Sequence, residues 1–428
     1  MKNLLKKVVG LDLVKVTGLN GISTIIRVIM SFGLSKYLAV MIGPSGLAII
    51  GQLTNVTQAM TTIGTLASNN AVTKYSAEYL TDRQRYLAFI SSTLKAVLCM
   101  SAVVGLFSFV ASGWLSQKIF ATDTYASIFK IFAFTIVLFA CNGFLLSLIN
   151  GKKLFRKYVI INIVTSVVST LLTFVLIWFY GIYGGLVSYV TAQSVVLLFT
   201  AYLAKSELSE LLAAFTHYSI DKDVVKKVLL FSTMTLVSML LSPASKLWIR
   251  SEIIYDLGID AAGIWEGINK ISGLYLMLFT ATIPIYYLPR LSEIKSLTEF
   301  RAEVFTSLKV VLPVVMISAL AIFVLRYYII IIALSNEFLP MKDLFLPQLI
   351  GDMLRVVSLL FVYTLIAKAK VKHYIVLECI AVGVYVLLSI YGMRYYGLIG
   401  VIYAYAVSYG IYALLAFLLF QNRFSTSS

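Results

Sequence analysis

Twelve long apolar runs, separated by short polar connections, constrain this chain more than any other feature. They fall at roughly 16–41, 44–68, 86–112, 124–149, 158–180, 184–204, 228–250, 263–289, 304–325, 344–367, 374–391 and 398–420. About 20 apolar residues suffice for a helix to cross a hydrocarbon core of about 30 Å. Inside that core each backbone amide must be satisfied within its own helix or within a closed barrel. The runs show no strict apolar/polar alternation, so they read as helices. Composition agrees: 60% of the 428 residues are hydrophobic and 13% charged, where soluble domains hold about a quarter charged residues. The expected fold is an all-α integral membrane protein of twelve transmembrane helices.

Charge placement orients those helices. With the N-terminus on the cytoplasmic side, 22 of the 35 Lys and Arg residues lie in inside segments and 4 in outside ones. The positive-inside rule then puts both termini in the cytoplasm. The net charge of +16 largely reflects this bias. Its scatter over seven segments argues against a nucleic-acid face. Lys2, Lys6 and Lys7 precede a short apolar run broken by Asp12 and Lys15, which does not make a cleavable signal. Cys99, Cys141 and Cys379 lie in apolar segments with neither disulfide nor zinc spacing, and His217 and His373 are too few for a metal cluster. No metal or cofactor is expected.

The chain reads as a duplication. Lys152–Tyr158 resembles Lys368–Tyr374, and Tyr180–Tyr189 resembles Tyr396–Tyr405. Tyr158, Gly181, Gly184 and Tyr189 recur at Tyr374, Gly397, Gly400 and Tyr405, each 216 residues on, and Gly46 recurs at Gly263 after 217. Six spans per half is an even number, so both halves enter from the same side as parallel repeats. The expected organisation is a bundle at 1–204, a cytoplasmic linker at 205–227 and a second bundle at 228–428. Paired bundles of this kind are characteristic of transporters that open alternately to the two sides.

Nine basic residues remain inside the spans against three acids, Glu266, Asp352 and Glu378. A charge at a helix centre costs at least about 2.5–3.5 kcal/mol on insertion scales. Lys95, Lys130, Arg250 and Lys309 lie near helix ends and read as snorkelling residues. Glu266 with Lys270 and Asp352 with Arg355 have helical i,i+4 and i,i+3 spacing, so each pair either neutralises itself or serves a site. Arg27 stands in the middle of the first span with no acid at helical spacing, and Lys36 and Lys246 also lie deep. A path lined by Arg27, Lys36, Lys246, Lys270 and Arg355 selects anions, arginine matching phosphate oxygens with its fork of donors. The polar stripe Gln52, Thr54, Asn55, Thr57 and Gln58 either faces water or bonds between helices. Pro243, Pro284 and Pro313 interrupt spans of the second half, as hinges or as static kinks.

Several ordered segments carry a family resemblance: Lys36–Leu47 with its Gly43-Pro44-Ser-Gly46 turn, Asn70–Tyr75, Gly263–Gly267 through Tyr287–Ser292, and Gly351–Arg355 through Ile366–Ala369. Over nearly the whole chain they resemble Wzx-type flippases, the O-antigen and enterobacterial common antigen group of the multidrug/oligosaccharidyl-lipid/polysaccharide exporter superfamily. The resemblance implies a bacterial inner-membrane protein with two six-helix bundles around a basic cavity. Its substrate would be an undecaprenyl-diphosphate-linked oligosaccharide. Related flippases keep a first-helix arginine, a role carried here to Arg27. A polymerase and a chain-length regulator of the same pathway are the implied partners, and Glu266, Asp352 or Glu378 would hold a coupling proton or sodium. Two other readings compete. A multidrug exporter of cations would want the opposite interior charge. A membrane-embedded polymerase would need a sizeable outside loop, whereas the longest connection, 205–227, is cytoplasmic in this topology.

Overall fold

The computed structural model describes residues 2–294, 296–368 and 370–423, and these are helical with short connections. In chain order the helices are α1 (Lys2–Gly64), α2 (Asn69–Glu78), α3 (Arg83–Val110), α4 (Ser112–Phe120), α5 (Ala126–Gly151), α6 (Phe155–Leu203) and α7 (Lys205–His217). They continue as α8 (Lys222–Leu257), α9 (Ile259–Glu293) and α10 (Leu297–Ala333). A 3-10 turn, Asn336–Leu344, leads to α11 (Phe345–Ala367), α12 (Val371–Tyr396) and α13 (Leu398–Arg423). Among the described residues, eight helical segments are long and apolar enough to cross a bilayer, and the bent α8 makes a ninth.

Two of these helices are too long for one crossing. A 63-residue α1 would run about 95 Å at 1.5 Å per residue. Gly43, at φ 63° and ψ −169°, breaks it next to Pro44, so the expected spans 16–41 and 44–68 share one helix as two arms. In the same way Gly181 breaks the 49-residue α6 between the expected spans 158–180 and 184–204.

Backbone geometry repeats along with the sequence. Gly181 has φ 56° and ψ −137°, and Gly397, 216 residues on, has φ 65° and ψ −146°. That region is essentially closed to residues with a Cβ. A Cβ on Gly184 would lie 1.9 Å from the Leu176 carbonyl oxygen, and one on Gly400 would lie 1.9 Å from that of Gly392. The colliding partners are themselves 216 residues apart. The same glycine pair therefore makes the same tight helical turn twice.

The chain forms two compact units. The first comprises residues 1–34 and 56–240, the second 35–55 and 241–428. In the first unit, α2, α3, α5, α7 and α8 share a core that includes Tyr75, Tyr86, Phe89, Phe144, Leu148, Leu211 and Val228. Helix α7 is fastened to it at one end of the bundle. Lys152 pairs with Glu210, Lys157 with Glu207 at 3.0 Å, and Ser91 and Lys95 donate to the Tyr218 carbonyl. At the opposite end Tyr183 donates to Ser127 at 3.1 Å.

The second unit has two such ends as well. At one, Lys368 donates to the Ile294 carbonyl at 2.7 Å and Arg290 pairs with Glu299 at 2.9 Å. At the other, Lys36 reaches the end of α10, Pro44 lies against Gly263 and Gly43 lies against Glu337. Residue 35–55 membership in this unit has no signature in hydropathy, because the helix runs through it unbroken on either side of Gly43.

Candidate functional site

Charged residues gather in the interior of the second unit. Arg250 of α8 is 1% exposed and pairs with Glu266 of α9, while its guanidinium lies 5.2 Å from the Trp265 ring centroid. Gln52, from the 35–55 segment, accepts from Arg250 at 3.4 Å. The two charged positions each stand eight residues from Gly258, whose φ of 90° turns α8 into α9. Equal spacing from a helical turn brings them face to face. That symmetry was the available sequence signal, and the snorkelling expectation for Arg250 overlooked it. Arg250 is buried and paired, so Glu266 is engaged by Arg250 across the turn and not by the Lys270 one turn along its own helix.

Lys246 and Lys270 complete this cluster. Both are half-buried, and both lie in the electrostatic field of Glu266 and Arg250. Lys246 also lies in the field of Arg355. Among the described residues neither lysine makes an ion pair or a hydrogen bond. A half-buried ammonium with its nearest carboxylate already taken is a poorly compensated charge.

An acidic network adjoins the basic one. Asp352 of α11 is fully buried, and all its lone-pair directions are addressed. Ser272 at 2.7 Å and Tyr275 donate to Oδ2, while Tyr405 at 2.7 Å and Gln348 at 3.4 Å donate to Oδ1. The helical spacing from Asp352 to Arg355 left open whether they neutralise each other or serve a site. The carboxylate is hydrogen-bonded by hydroxyls from α9 and α13, and Arg355, which stays in its electrostatic field, lies 5.7 Å from the Tyr409 ring centroid. Tyr409 in turn stands among Arg355, Glu378 and Asp352, and Glu378 accepts from Tyr412 at 2.6 Å. Tyr275, Tyr405 and Tyr412 were legible only as part of a general abundance of tyrosine; their helical register against two buried acids was not.

Two further expected cavity residues, Arg27 and Lys36, have surroundings of their own. Arg27 is in the first unit, exposed between exposed Ile25 and Ile29, and makes no ion pair among the described residues. Lys36 is in the second unit, and its ammonium donates to two backbone carbonyls. A groove of about 850 Å³ lies elsewhere, in the first unit beneath α7, lined by Arg83, Lys152, Glu210 and His217 among others. Its lysine is already matched by Glu210. Among the described residues no cluster of His, Cys, Asp and Glu has the arrangement to hold a metal ion.

With this geometry established, similarity to known proteins becomes informative. Residues 13–295 match the family described as "Polysaccharide biosynthesis protein". The lipid III flippase of Escherichia coli (strain K12) is 30% identical over 411 residues, covering 94% of this chain and 97% of the relative. Its counterpart in Shigella flexneri aligns with the same figures. Among solved structures, an inward-facing multidrug resistance MATE family transporter of the MOP superfamily superposes with a TM-score of 0.75 at 13% identity, covering 95% of this chain and all of that one. The lipid II flippase MurJ, in an inward closed conformation, gives 0.74 at 16% identity, covering 96% and 87%. At such identities the structural likeness establishes the fold alone. Sequence likeness along nearly the entire length goes further: the chain belongs to the polysaccharide biosynthesis protein family.

Proposed function

We propose that this protein is a flippase that carries an undecaprenyl-diphosphate-linked oligosaccharide from the cytoplasmic to the periplasmic leaflet of the bacterial inner membrane, for surface polysaccharide assembly. One observation carries the reading: Lys246 and Lys270 are half-buried cations whose nearest acid is already spent on Arg250. An anion with several oxygens would compensate them, and a diphosphate supplies one. A cationic drug would meet the wrong sign there. The lipid III flippase relatives support a lipid-linked saccharide as the cargo.

In this reading the protein is a transporter and makes or breaks no covalent bond. The diphosphate engages Lys246, Lys270 and Arg355 of the second unit; Arg27 is proposed separately as the cargo-facing residue of the first. The glycan occupies water and the prenyl chain stays in lipid. Asp352 and Glu378 are the groups proposed to bind a coupling proton or sodium; Glu266 is engaged by Arg250. We further propose twelve spans with both termini cytoplasmic, as bundles 1–204 and 228–428 joined by 205–227. Contacts within each unit support that count. Residues 79–95, 152–157 and 205–227 meet at one end of the first unit, and 36–44, 263 and 331–337 meet at one end of the second. Alternating crossings demand both groupings. A polymerase and a chain-length regulator of the same assembly pathway are the proposed partners.

The test is deletion of the gene followed by complementation. Native protein restores surface polysaccharide, whereas Arg27→Ala and the double variant K246M/K270M, present at equal membrane levels, restore less than about a tenth, the size of one lost charge-assisted contact. Full restoration by Arg27→Ala removes that residue from the cargo path. Absence of any polysaccharide defect on deletion sinks the assignment.

A further inference from the structure

The first helix contains an anomaly of membership. Its two arms belong to the first unit up to Leu34 and again from Val56, but the intervening tip, 35–55, packs within the second. Three features hold that tip. Lys36 Nζ donates to the carbonyl oxygens of Ile331 and Leu334, each at 2.6 Å. These are terminal carbonyls of α10, which lack partners further along the helix and carry its negative dipole end. Gly263 then lets α9 approach the Gly43–Pro44 turn so closely that a Cβ there would lie 1.9 Å from the Pro44 carbonyl oxygen. Lastly, Gln52 bridges Arg250 and Ser251 with both ends of its amide, at 3.4 Å each.

Two of the three Lys36 donors are thus taken by the protein itself, on terminal carbonyls of α10. Moving the ammonium would leave those carbonyls to find water or another donor. Every contact in the set, except that of Gln52, lies within a few residues of the turns at Gly43–Pro44, Gly258 and Leu334. In the proposed topology those turns all face the periplasm.

We propose that Lys36 is a positioning residue for translocation: it latches the tip of the first hairpin onto the carbonyl end of α10, and its release accompanies opening toward the periplasm. The latch rests on the transporter reading, because only an exchange of open sides requires the tip to let go. Lys36 leaves the set of cargo-binding cations and becomes the donor that sets how readily the periplasmic side opens. The snug seat of Gly263 against Pro44 is its mechanical counterpart on α9.

A labelling experiment tests the latch without reference to cargo. In a chain with Cys99, Cys141 and Cys379 replaced by serine, Ala48→Cys places a thiol at a fully buried position of the tip. A membrane-impermeant maleimide is added to intact cells. The otherwise native chain labels slowly. Lys36→Met, which keeps length and loses the donor, labels at least about fivefold faster, and Lys36→Arg, which keeps donors, restores slow labelling. Gly263→Ala, whose new methyl wedges α9 off Pro44, also speeds labelling, and it decides the matter if Lys36→Met does not accumulate. Equal rates in the native chain, Lys36→Met and Gly263→Ala overturn the latch. Failure of polysaccharide complementation with labelling as expected would instead strike the cargo assignment and leave the latch standing.

Discussion

The two units spend their charges differently. In the first, paired charges sit at the bundle's end and fasten α7: Lys157, 38% exposed, lies beside Glu207, 6% exposed, and Lys152 is matched by Glu210. In the second, charge runs through the interior, with Arg250 at 1% exposure, Asp352 fully buried and Arg355 turned to an aromatic ring. A sequence duplicated in its turns has thus diverged in its interior. Turn glycines are fixed by backbone sterics, which both copies share. Buried charges are held only where something repays their desolvation, and among the described residues the two least exposed, Arg250 and Asp352, both lie in the second unit. The second unit is where a charged cargo or coupling ion would leave its mark.

The sharpest way to break this contrast is to remove one acid from each unit. Glu266→Gln leaves the Arg250 guanidinium buried without its counter-ion, a change that costs about 3–5 kcal/mol where a buried pair is broken from one side. Glu207 is itself only 6% exposed, but its partner Lys157 is 38% exposed and keeps water when the carboxylate is lost, so Glu207→Gln strands no buried cation and should cost only about 1 kcal/mol. Thermal unfolding of the purified protein in detergent should show a large fall for the first and a small one for the second. The double variant R250M/E266M should recover much of the loss, because it removes the orphaned charge with its partner. Equal falls for Glu266→Gln and Glu207→Gln would show that the interior of the second unit is as well hydrated as the rim of the first.

A smaller effect tests what the units have in common. Gly181 and Gly397 hold nearly the same positive-φ conformation, and a Cβ added to either meets nothing within 4 Å. Alanine at each therefore probes backbone strain alone, about 1–3 kcal/mol for a residue forced into this region. Gly181→Ala and Gly397→Ala should lower the melting temperature by similar amounts. A twofold or larger disparity would mean that the repeated turns bear different loads and that the duplication is retained in geometry but not in energetics.

What the sequence made legible follows the same division. The helical runs, the duplicated turns and the Gly43–Pro44 break are local features, written in hydropathy and in glycine placement at fixed offsets. The excess of basic residues over acids was also plain, and so was the placing of Asp352, Glu266 and Lys270 inside apolar spans. Partners were harder. Helical spacing offered Lys270 to Glu266 and Arg355 to Asp352, because i,i+3 and i,i+4 neighbours are the only contacts a single helix guarantees. The structure supplies partners from other helices: Arg250 across the turn at Gly258 for Glu266, and Ser272, Tyr275 and Tyr405 for Asp352. A buried group takes the donors with the best geometry wherever they lie in the chain. Membership of the 35–55 tip was invisible for a related reason, since one lysine on a helix reads alike whether it meets phosphate, water or the carbonyl end of α10.

The mildest prediction concerns pH and returns to the rim of the first unit. Burial of Glu207 acts to raise its pKa, but hydrogen bonds from Lys157 and Ser206 outweigh it, and the carboxyl is held below its ordinary value. The folded pKa then lies under the unfolded one. The pair's contribution is complete above the unfolded carboxylate value of about 4.3, and it is lost as pH falls through the lower folded value. Native protein and Glu207→Gln should differ slightly in melting temperature at pH 7, and the gap should close as the medium is acidified to about pH 3. The Lys36 latch involves no carboxylate, so Lys36→Met should keep its labelling difference over the pH range in which the Glu207 gap is still complete. A gap at Glu207 that widens in acid would mean the carboxyl is held by its protonated form, and the fastening of α7 would have to be assigned to the Tyr218 carbonyl contacts from Ser91 and Lys95 instead.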